Sequence, residues 1–474
     1  MGGGKGGTGG GKGGSAGSIS GGRSGAGTTG NGGEAGGGGG CDITKSPADE
    51  TCLVSDEFAV FVSPDGDDGN DGSQNAPFAT LTKAVEAAAG TELVLVCSAT
   101  YDEHVSITTG ARVYGGFTCA DWSADTGKPL FKPTTAGTAL SIEAVANDLL
   151  IEGVSFEVGD AVAAGATAMT AIVNASPKVT LRAVSLTSGE GMAGANGALA
   201  SFTFASASSL NGNAENPAGS GGGEKACACQ GTLMSIGGVG GVPSSAGTAG
   251  SKGLPDHGAG QPGSPGSCVP GGGGSDGNNA PAAGAASGAA QLGTAASSSW
   301  EPSPGTDGAT GQPGQGGGGG ASRNSLGHGG GGGCGGCGGN GGSAGKGGGA
   351  SIALLAIDSP VVFEASTLTS ADAGNGGSGV AGQAGQQSVG SGGDAIASAN
   401  SCDGGTGGKG GNGGAGGGGA GGISVGVLWK GVAAPTVSAD TTITNGVAGV
   451  KGIGGVPSTN DGVAGVAQKI LPLN

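Results

Sequence analysis

Glycine is the feature that most constrains this chain: 121 of its 474 residues are glycine, and glycine and proline together make up about 30% of it. A glycine has no side chain to bury and loses more backbone freedom on folding than any other residue. Aromatic residues are only 3% of the chain. Any hydrophobic core must therefore come from the glycine-poor stretches, and the composition is not that of an ordinary globular enzyme of this length.

Glycine is concentrated in blocks, which divide the chain into regions of different character. The glycine-rich blocks are typical of flexible or extended segments, whereas the stretches between them have the apolar residues and turns of a fold. The predicted regions are a leader or stalk at 1–40, a capped N-terminal folded part at 41–188, a glycine-rich insertion at 189–349, one folded coil at 350–371, a second insertion at 372–422, and a last coil with a tail at 423–474.

The folded stretches are repeats of about 22 residues. Residues 170–191 and 353–374 both read as a short strand, a Ser-Pro turn, an alternating strand and then Leu-Thr-Ser; residues 139–160 and 425–446 are weaker copies. Repeats of this length cannot close a core alone and stack as the coils of a parallel β-solenoid. Each glycine-rich block starts directly after the same point of a repeat, so we expect the blocks to leave the solenoid at one corner.

The N-terminal part begins with a strand, an acidic turn and a short amphipathic helix. In this segment Pro77 suits a first helical turn, Gly90 supplies a stop, and one helical face carries Phe78, Leu81, Val85 and Ala88. The segment resembles the opening of the pectin-lyase-like right-handed parallel β-helix proteins, of the DUF1565 type. The residues that carry the resemblance are Val62, Ser63, Pro64, Gly66, Asp68, Gly72, Pro77, Phe78, Thr80, Tyr101, Glu103, Val105 and Ile107.

The resemblance implies an all-β fold: a right-handed parallel β-helix with a short N-terminal capping helix and long glycine-rich insertions. The whole chain is also similar to glycine-rich, PGRS-like β-helical proteins of soil bacteria. That similarity implies an exported, often lipoprotein-like origin and brings no assigned reaction.

The charge and hydropathy patterns exclude two classes of partner. The formal net charge is −17, so the chain lacks the basic surface that binds nucleic acid. No apolar run approaches the roughly 18 to 20 residues of a membrane-spanning helix. The start of the chain has no apolar signal segment, so export has to be argued from cysteine.

Ten cysteines lie mostly in polar, glycine-rich surroundings, which favours disulfides and an oxidising, extracellular or outer-surface location. Cys334 and Cys337 fall on one ridge of a three-residue repeat, about 9 Å apart in an extended three-residue helix, which is too far for a bridge. We expect them to pair with Cys227 and Cys229, Cys41 to pair with Cys52, and Cys97 with Cys119. The partners of Cys268 and Cys402 stay open. A zinc site formed by the four thiolates of Cys227, Cys229, Cys334 and Cys337 is an alternative to the two bridges among them.

Two clusters are candidates for ligands or chemistry. The acidic turn Asp65, Asp67, Asp68, Asn70 and Asp71 is a weak Ca²⁺ candidate, because such oxygens suit Ca²⁺, but it departs from the EF-hand spacing; a solvated turn is the alternative. The segment 101–104 (Tyr-Asp-Glu-His) has acid and base groups, but alternating strand residues point to opposite faces. No catalytic residue and no cofactor is predicted.

The sequence leaves three hypotheses for function. The first is a non-enzymatic exported structural or adhesion protein that contacts surface polysaccharide or matrix. The second is a polysaccharide lyase or glycoside hydrolase on the same fold, for which the repeats carry few acidic and basic residues. The third is a disordered glycine-rich scaffold with a small folded head. The first two are separated by whether the outer face of the coils presents carboxylates with a Lys or Arg in an open groove.

Overall fold

The computed structural model describes residues 41–473, except 89–92, 217–219, 245–247, 266–267, 269–271, 324–326, 396–400 and 432. The chain divides into two units, Met1–Asp42 and Ile43–Asn474, and the second carries the architecture described below. The predicted leader, 1–40, and the predicted helix stop at Gly90 lie outside the described residues.

The described chain contains one α-helix, two 3₁₀ turns (Thr51–Leu53 and Ala207–Leu210) and many short strands. In chain order the helix and strands are β1 (Ala59–Val62), α1 (Leu81–Ala88), β2 (Leu93–Cys97), β3 (Thr100–Tyr101), β4 (Val105–Ile107), β5 (Arg112–Phe117), β6 (Leu130–Phe131), β7 (Leu140–Glu143), β8 (Leu149–Glu152), β9 (Ser155–Val158), β10 (Ala168–Asn174), β11 (Val179–Arg182), β12 (Ser185–Ser188), β13 (Lys225–Ala228), β14 (Met234–Gly237), β15 (Gly293–Ala296), β16 (Ser299–Pro302), β17 (Ser351–Ile357), β18 (Val362–Glu364), β19 (Thr367–Ser370), β20 (Ser424–Lys430), β21 (Thr436–Val437), β22 (Thr442–Thr444) and β23 (Ala467–Pro472).

Most of these strands form three parallel sheets. Sheet 1 has the order β1-β2-β5-β8-β11-β18-β21, sheet 2 the order β23-β20-β17-β10-β7-β4, and sheet 3 the order β22-β19-β12-β9-β6-β3. From β4 onward each coil gives one strand to sheet 2, one to sheet 1 and one to sheet 3, in that order. This is the arrangement of a parallel β-helix, so the prediction of an all-β fold of stacked coils is confirmed.

The core lies between the sheets, where residues at equivalent positions of successive coils stack. In sheet 1, Ile151 pairs with Leu181 and Leu181 with Phe363. The stack in sheet 3 is Phe131, Phe156, Leu186, Leu368 and Ile443. All of these side chains are buried in one hydrophobic cluster. The 22-residue repeat seen in the sequence spans the strands of one coil, whereas equivalent positions of two successive coils, such as Ile151 and Leu181, lie 30 residues apart.

Helix α1 packs against β1, β2 and β4, and it buries Leu81, Ala84, Val85 and Ala88 in the same cluster. The prediction that Pro77 occupies a first helical turn is wrong, because the helix begins at Leu81. Residues 77 and 78 instead run alongside β1: the Phe78 N–H donates to the Phe61 carbonyl at 2.9 Å. The physical reason is that two carboxylates, Asp68 and Glu103, accept hydrogen bonds from the backbone N–H groups of residues 79–82. These bonds fix the start of the helix at Leu81.

Sheet 2 is buried on both faces along its central strands β10, β17 and β20. Its outward residues form a second cluster, in which Met169, Ile352 and Val425 lie under Trp300 of the antiparallel hairpin β15–β16. This hairpin belongs to the predicted insertion 189–349, which the sequence showed only as a glycine-rich block. The C-terminal tail predicted from the sequence contains strand β23, which adds a parallel strand to sheet 2 beside β20.

The described glycine-rich residues form a bundle of extended segments joined by backbone hydrogen bonds that recur every third residue. Gly336, Gly339 and Gly342 donate to the carbonyls of Gly408, Gly411 and Gly414 at 2.9 to 3.0 Å. The segments that leave the β-helix at 189, 371 and 445 all follow a strand of sheet 3 (β12, β19 and β22), and the segments that end at 350, 423 and 466 all lead into sheet 2. The bundle therefore continues two sheets of the β-helix, and this order argues against the disordered-scaffold hypothesis.

Segment 402–422 is the centre of the bundle. Its backbone bonds to segments 272–289, 303–322, 330–348, 374–393, 447–455 and 460–466. In such an array each residue presents its N–H or carbonyl to one of several neighbours, so the backbone groups are satisfied without a conventional sheet. Glycine is needed because the backbones are in contact: a Cβ added to Gly413 would lie 2.0 Å from the carbonyl oxygen of Asn340.

Candidate functional site

The outer face of sheet 1 carries a ladder of charged side chains. Tyr114, Glu152, Arg182 and Glu364 occupy equivalent positions of successive coils, as the strand register places them side by side. Arg182 bridges both acids: its Nη1 donates to Glu152 Oε2 at 3.1 Å and its Nε donates to Glu364 Oε2 at 2.6 Å. Parallel pairing therefore assembles a three-residue ion pair from residues far apart in the chain.

The electrostatics of this ladder favour a fixed ion pair over proton transfer. The hydrogen bond that Arg182 donates to Glu364 raises the pKa of Arg182 above its ordinary value, with the charge of Glu152 acting in the same direction. Burial raises the pKa of the neighbouring Tyr114, so its hydroxyl stays protonated at neutral pH. A general base needs a pKa near the working pH, and neither group has one.

A shallow groove of about 270 Å³ lies beside the ladder. Its floor is apolar, from Leu150, Val362 and Pro177, and Arg112 and Lys178 are the other basic residues that line it. Lys178 is paired with Asp148 at 3.3 Å, and the Arg112 guanidinium donates to the backbone carbonyl of Ile43. This face of sheet 1 is thus open, but its charges are largely paired with one another or with the backbone.

The acidic turn serves to order the N-terminal segment. Asp68 accepts the N–H groups of Ala79 and Thr80, both at 3.0 Å, and the Thr80 hydroxyl at 2.8 Å. The remaining residues of the turn make local bonds: Asp67 accepts the N–H of Gly69, Asp71 accepts that of Ser73, which lowers the pKa of Asp71, and Asn70 donates to the Pro77 carbonyl. The backbone N–H of Asp65 donates to the hydroxyl of Ser63.

Within the described residues no group of three or more His, Cys, Asp or Glu side chains is arranged to hold a metal ion. The Ca²⁺ hypothesis therefore gains no support from the geometry of this turn.

Each residue of the segment 101–104 has a structural partner. The buried Tyr101 hydroxyl donates to backbone carbonyls of Val62 and Cys97, and burial raises its pKa. Asp102 accepts the N–H and hydroxyl of Thr134, and Glu103 accepts the N–H groups of Leu81 and Thr82. The ring nitrogens of His104 lie 2.7 Å from the Thr138 carbonyl and 2.8 Å from the Thr135 hydroxyl. The structure does not bring these four together as an acid–base site.

All ten cysteines are disulfide-bonded. The described bridges are Cys97–Cys119, Cys227–Cys334, Cys229–Cys337 and Cys268–Cys402. The pairing of Cys334 and Cys337 with Cys227 and Cys229 agrees with the expectation drawn from the three-residue period, and it leaves none of the four thiolates for zinc. The last bridge answers a question that spacing left open, because both of its cysteines lie in irregular segments. Disulfides on this scale indicate an oxidising environment.

Comparison with known proteins gives one match. The model of a family described as a protein of unknown function, DUF1565, matches residues 64–195. The matched stretch runs from the acidic turn through β12 into the first glycine-rich segment. No curated protein and no solved structure matches the chain.

Two features of the site region escaped sequence reasoning. The hairpin β15–β16 covers the outer face of sheet 2, and its only sequence signal is Trp300, one of three tryptophans in the chain. The pairing of Arg182 with Glu364 depends on the coil register across the intervening insertion, which residue types alone do not give.

Among the described residues no helix is both long and apolar enough to span a bilayer.

Proposed function

We propose that this chain is an exported, non-enzymatic structural or adhesion protein in which a right-handed parallel β-helix holds a disulfide-locked glycine bundle at the cell surface or outside the cell. The observation that carries the proposal is that every cysteine is bridged and that three of the described bridges lie in the bundle. Right-handedness is the rule for crossover connections between parallel strands.

In this proposal α1 is the cap of the β-helix. It lies against β1, which is the edge strand of sheet 1, and its apolar face closes the same core that the coils form. A capped end does not offer free strand edges for aggregation, which suits a protein that persists outside the cell.

Fractionation of the source cells tests the proposal. We expect the protein in the extracellular or outer-surface fraction, with no free thiols until a reductant is added, because disulfides of this kind persist only outside the reducing cytoplasm. Recovery of the protein in the cytoplasm with its thiols reduced would overturn the proposal.

The second function is a polysaccharide lyase or hydrolase, and the observation that favours it is the open groove on sheet 1, which is lined by Arg112, Lys178 and Arg182, the last of these paired with Glu152. Incubation with polygalacturonate tests it by the appearance of unsaturated or reducing products. Turnover that is abolished in Arg112→Ala would establish the enzyme. No turnover by the folded, disulfide-bonded protein is the result we expect, since the ladder charges are already paired.

A further inference from the structure

A second cavity, of about 360 Å³, lies where the tip of hairpin β15–β16 meets the β-helix. It is formed by three separate parts of the chain: the loop before β7, the start of β10, and the hairpin. The residues that line it are Gly137, Thr138, Thr167, Met169, Ser298, Ser299 and Trp300. Its volume is in the range of cavities that hold small ligands.

The walls of this cavity are held by bonds outside it. His104 fixes the loop 135–138 through the Thr138 carbonyl and the Thr135 hydroxyl, at 2.7 and 2.8 Å. The Thr167 hydroxyl accepts the N–H of Ala350 at 3.1 Å, which leaves its own hydrogen as a donor toward other groups. Trp300 is packed into the apolar cluster over sheet 2. The site is therefore formed before any ligand arrives, which lowers the entropy cost of binding.

The lining has a definite chemistry. None of the seven residues is charged, and four of them carry hydroxyl groups: Thr138, Thr167, Ser298 and Ser299. Met169 and the indole of Trp300 supply apolar surface. Trp300 is 4% exposed, and its Nε1–H is buried with no hydrogen-bond partner among the described residues. Because this N–H is shielded from solvent, Trp300 contributes apolar surface and no donor to the lining.

We propose that this cavity binds one neutral sugar residue of a glycan. A sugar ring has an apolar face for the Met169 and Trp300 surface and hydroxyls for the four Ser and Thr side chains. A charged sugar would lose its hydration without a countercharge in the lining, so the site selects against uronates. This inference deepens the proposed adhesion function and rests on it, and it assigns the contact to sheet 2 and the hairpin, away from the groove on sheet 1.

Titration of the disulfide-intact protein with glucose, galactose, mannose and N-acetylglucosamine, and with galacturonate and glucuronate as charged controls, tests the assignment. Tryptophan fluorescence and calorimetry are the readouts. We expect at least one neutral sugar to bind with a change in fluorescence, and the two uronates to bind at least tenfold more weakly. Trp300→Phe removes one ring of the indole from the cavity wall and should weaken binding about tenfold, the scale of one lost aromatic contact.

Trp429→Phe is the matched control and should bind as the wild type does, because Trp429 lies away from the cavity. If Trp300→Phe melts at a lower temperature, Thr138→Val provides a second test, since it removes a lining hydroxyl without touching the hairpin. Binding of no neutral sugar, equal binding by the wild type and both cavity variants, or preference for a uronate would each overturn the inference. The export proposal would survive such a result, whereas cytoplasmic localisation with sugar binding intact would overturn only the export.

Discussion

At the scale of single residues, glycine has two separate roles in this chain. In segment 272–289 a Cβ added to Gly277 would lie 2.1 Å from the Gln315 carbonyl oxygen, whereas a Cβ on Gly284 would meet no atom within 4 Å. The same residue type is therefore required by contact at one position and replaceable at another, seven residues along the same segment. Sequence periodicity does not distinguish the two positions, because the difference depends on whether another backbone segment lies on the side to which the added Cβ would point.

This difference gives a matched pair of variants. Gly277→Ala should lower the free energy of unfolding by about 1 to 3 kcal/mol, since the backbones would have to separate. Gly284→Ala should leave stability unchanged or raise it by up to about 1 kcal/mol, because alanine restricts the unfolded chain. Urea denaturation followed by circular dichroism measures both. Equal effects of the two substitutions would mean that the segments are not packed backbone to backbone.

A second residue-scale feature is a paired bond made by Asp and Asn in the parallel segments. The side-chain oxygen accepts an N–H from the neighbouring segment, and the residue after it donates its own N–H to the carbonyl of that same neighbour. The Asp or Asn and its partner are Asp160 with Glu190, Asn196 with Ser378, Asn211 with Ser391, Asp276 with Thr406, Asn279 with Lys409, Asp372 with Val447, and Asn375 with Val450. These side chains satisfy N–H groups that have no backbone acceptor among the described residues.

The paired bond predicts a specific substitution pattern at Asn375. Asn375→Ala should cost about 1 kcal/mol, the net value of one hydrogen bond, because the Val450 N–H loses its acceptor. Asn375→Asp keeps an acceptor oxygen at the same place and should retain the stability of the wild type. Urea midpoints of the three proteins at neutral pH provide the comparison, and a loss in the aspartate variant equal to that in the alanine variant would contradict it.

At the scale of elements, the bridges Cys227–Cys334 and Cys229–Cys337 form a double staple between hairpin β13–β14 and segment 330–348. Their cysteines are separated by 107 and 108 residues, so the two bridges close nearly the same loop. With one bridge in place, the other adds to the unfolded chain only the small loop between the two bridges, formed by residues 227–229 and 334–337. The two bridges are therefore redundant against opening of the long loop.

Removal of the bridges should consequently be strongly non-additive. The double variant Cys227→Ser with Cys334→Ser should cost much less than the roughly 4 to 5 kcal/mol expected for a loop of about 100 residues. Removal of all four cysteines should cost close to that full amount. Thermal melting and limited proteolysis of residues 189–349 measure the effect. Additive losses from the two pairs would indicate that each bridge acts through local packing instead.

At the scale of the whole molecule, acid stability depends on a set of aspartates that accept hydrogen bonds in the folded chain. The bonds from Thr134 lower the pKa of Asp102, those from Thr118 and Ser123 lower the pKa of Asp121, and those from Ser438 and from the Gly454 backbone lower those of Asp440 and Asp461. A folded pKa below the unfolded value of about 3.9 adds stability above that pH, which is lost as the pH falls through the folded value.

We therefore expect the urea midpoint to be constant from about pH 7 to 5 and to fall steadily below about pH 4. The experiment should be done at high salt, which screens the repulsion between charges that changes as the carboxylates are protonated. Asp102→Asn removes one of the titrating groups and should make the fall shallower. A midpoint that rises on acidification at high salt would show that charge repulsion, and not these bonds, controls acid stability.

Much of the fold could be predicted from the sequence because its repeats are local patterns. The inward residues Ile151, Leu181 and Phe363 each lie directly before a charged residue at the same place in their repeats, and repeats of equal length stack their equivalent positions. The corner from which the glycine-rich segments leave follows from the same periodicity. The cysteine pairing across 107 residues was also accessible, because a three-residue period forbids the local pair.

The candidate sites could be predicted far less well. The ladder Glu152–Arg182–Glu364 and the cavity beside Trp300 each join residues from separate coils or insertions. The uses of Asp68 and Glu103 as acceptors for the start of α1 also needed the tertiary structure, since both occur in patterns that suggested a cation site or acid–base chemistry.

The sequence by itself determined that this chain stacks short parallel coils, because side-chain alternation and repeat length are properties of neighbouring residues. Its cysteine content likewise pointed to an oxidising environment. Only the tertiary structure decided what the glycine does: the described glycine-rich segments form a hydrogen-bonded bundle, and one hairpin within them packs on sheet 2. The physical reason is that a glycine carries no side-chain signal, so its partners are set by the close approach of backbones from distant segments.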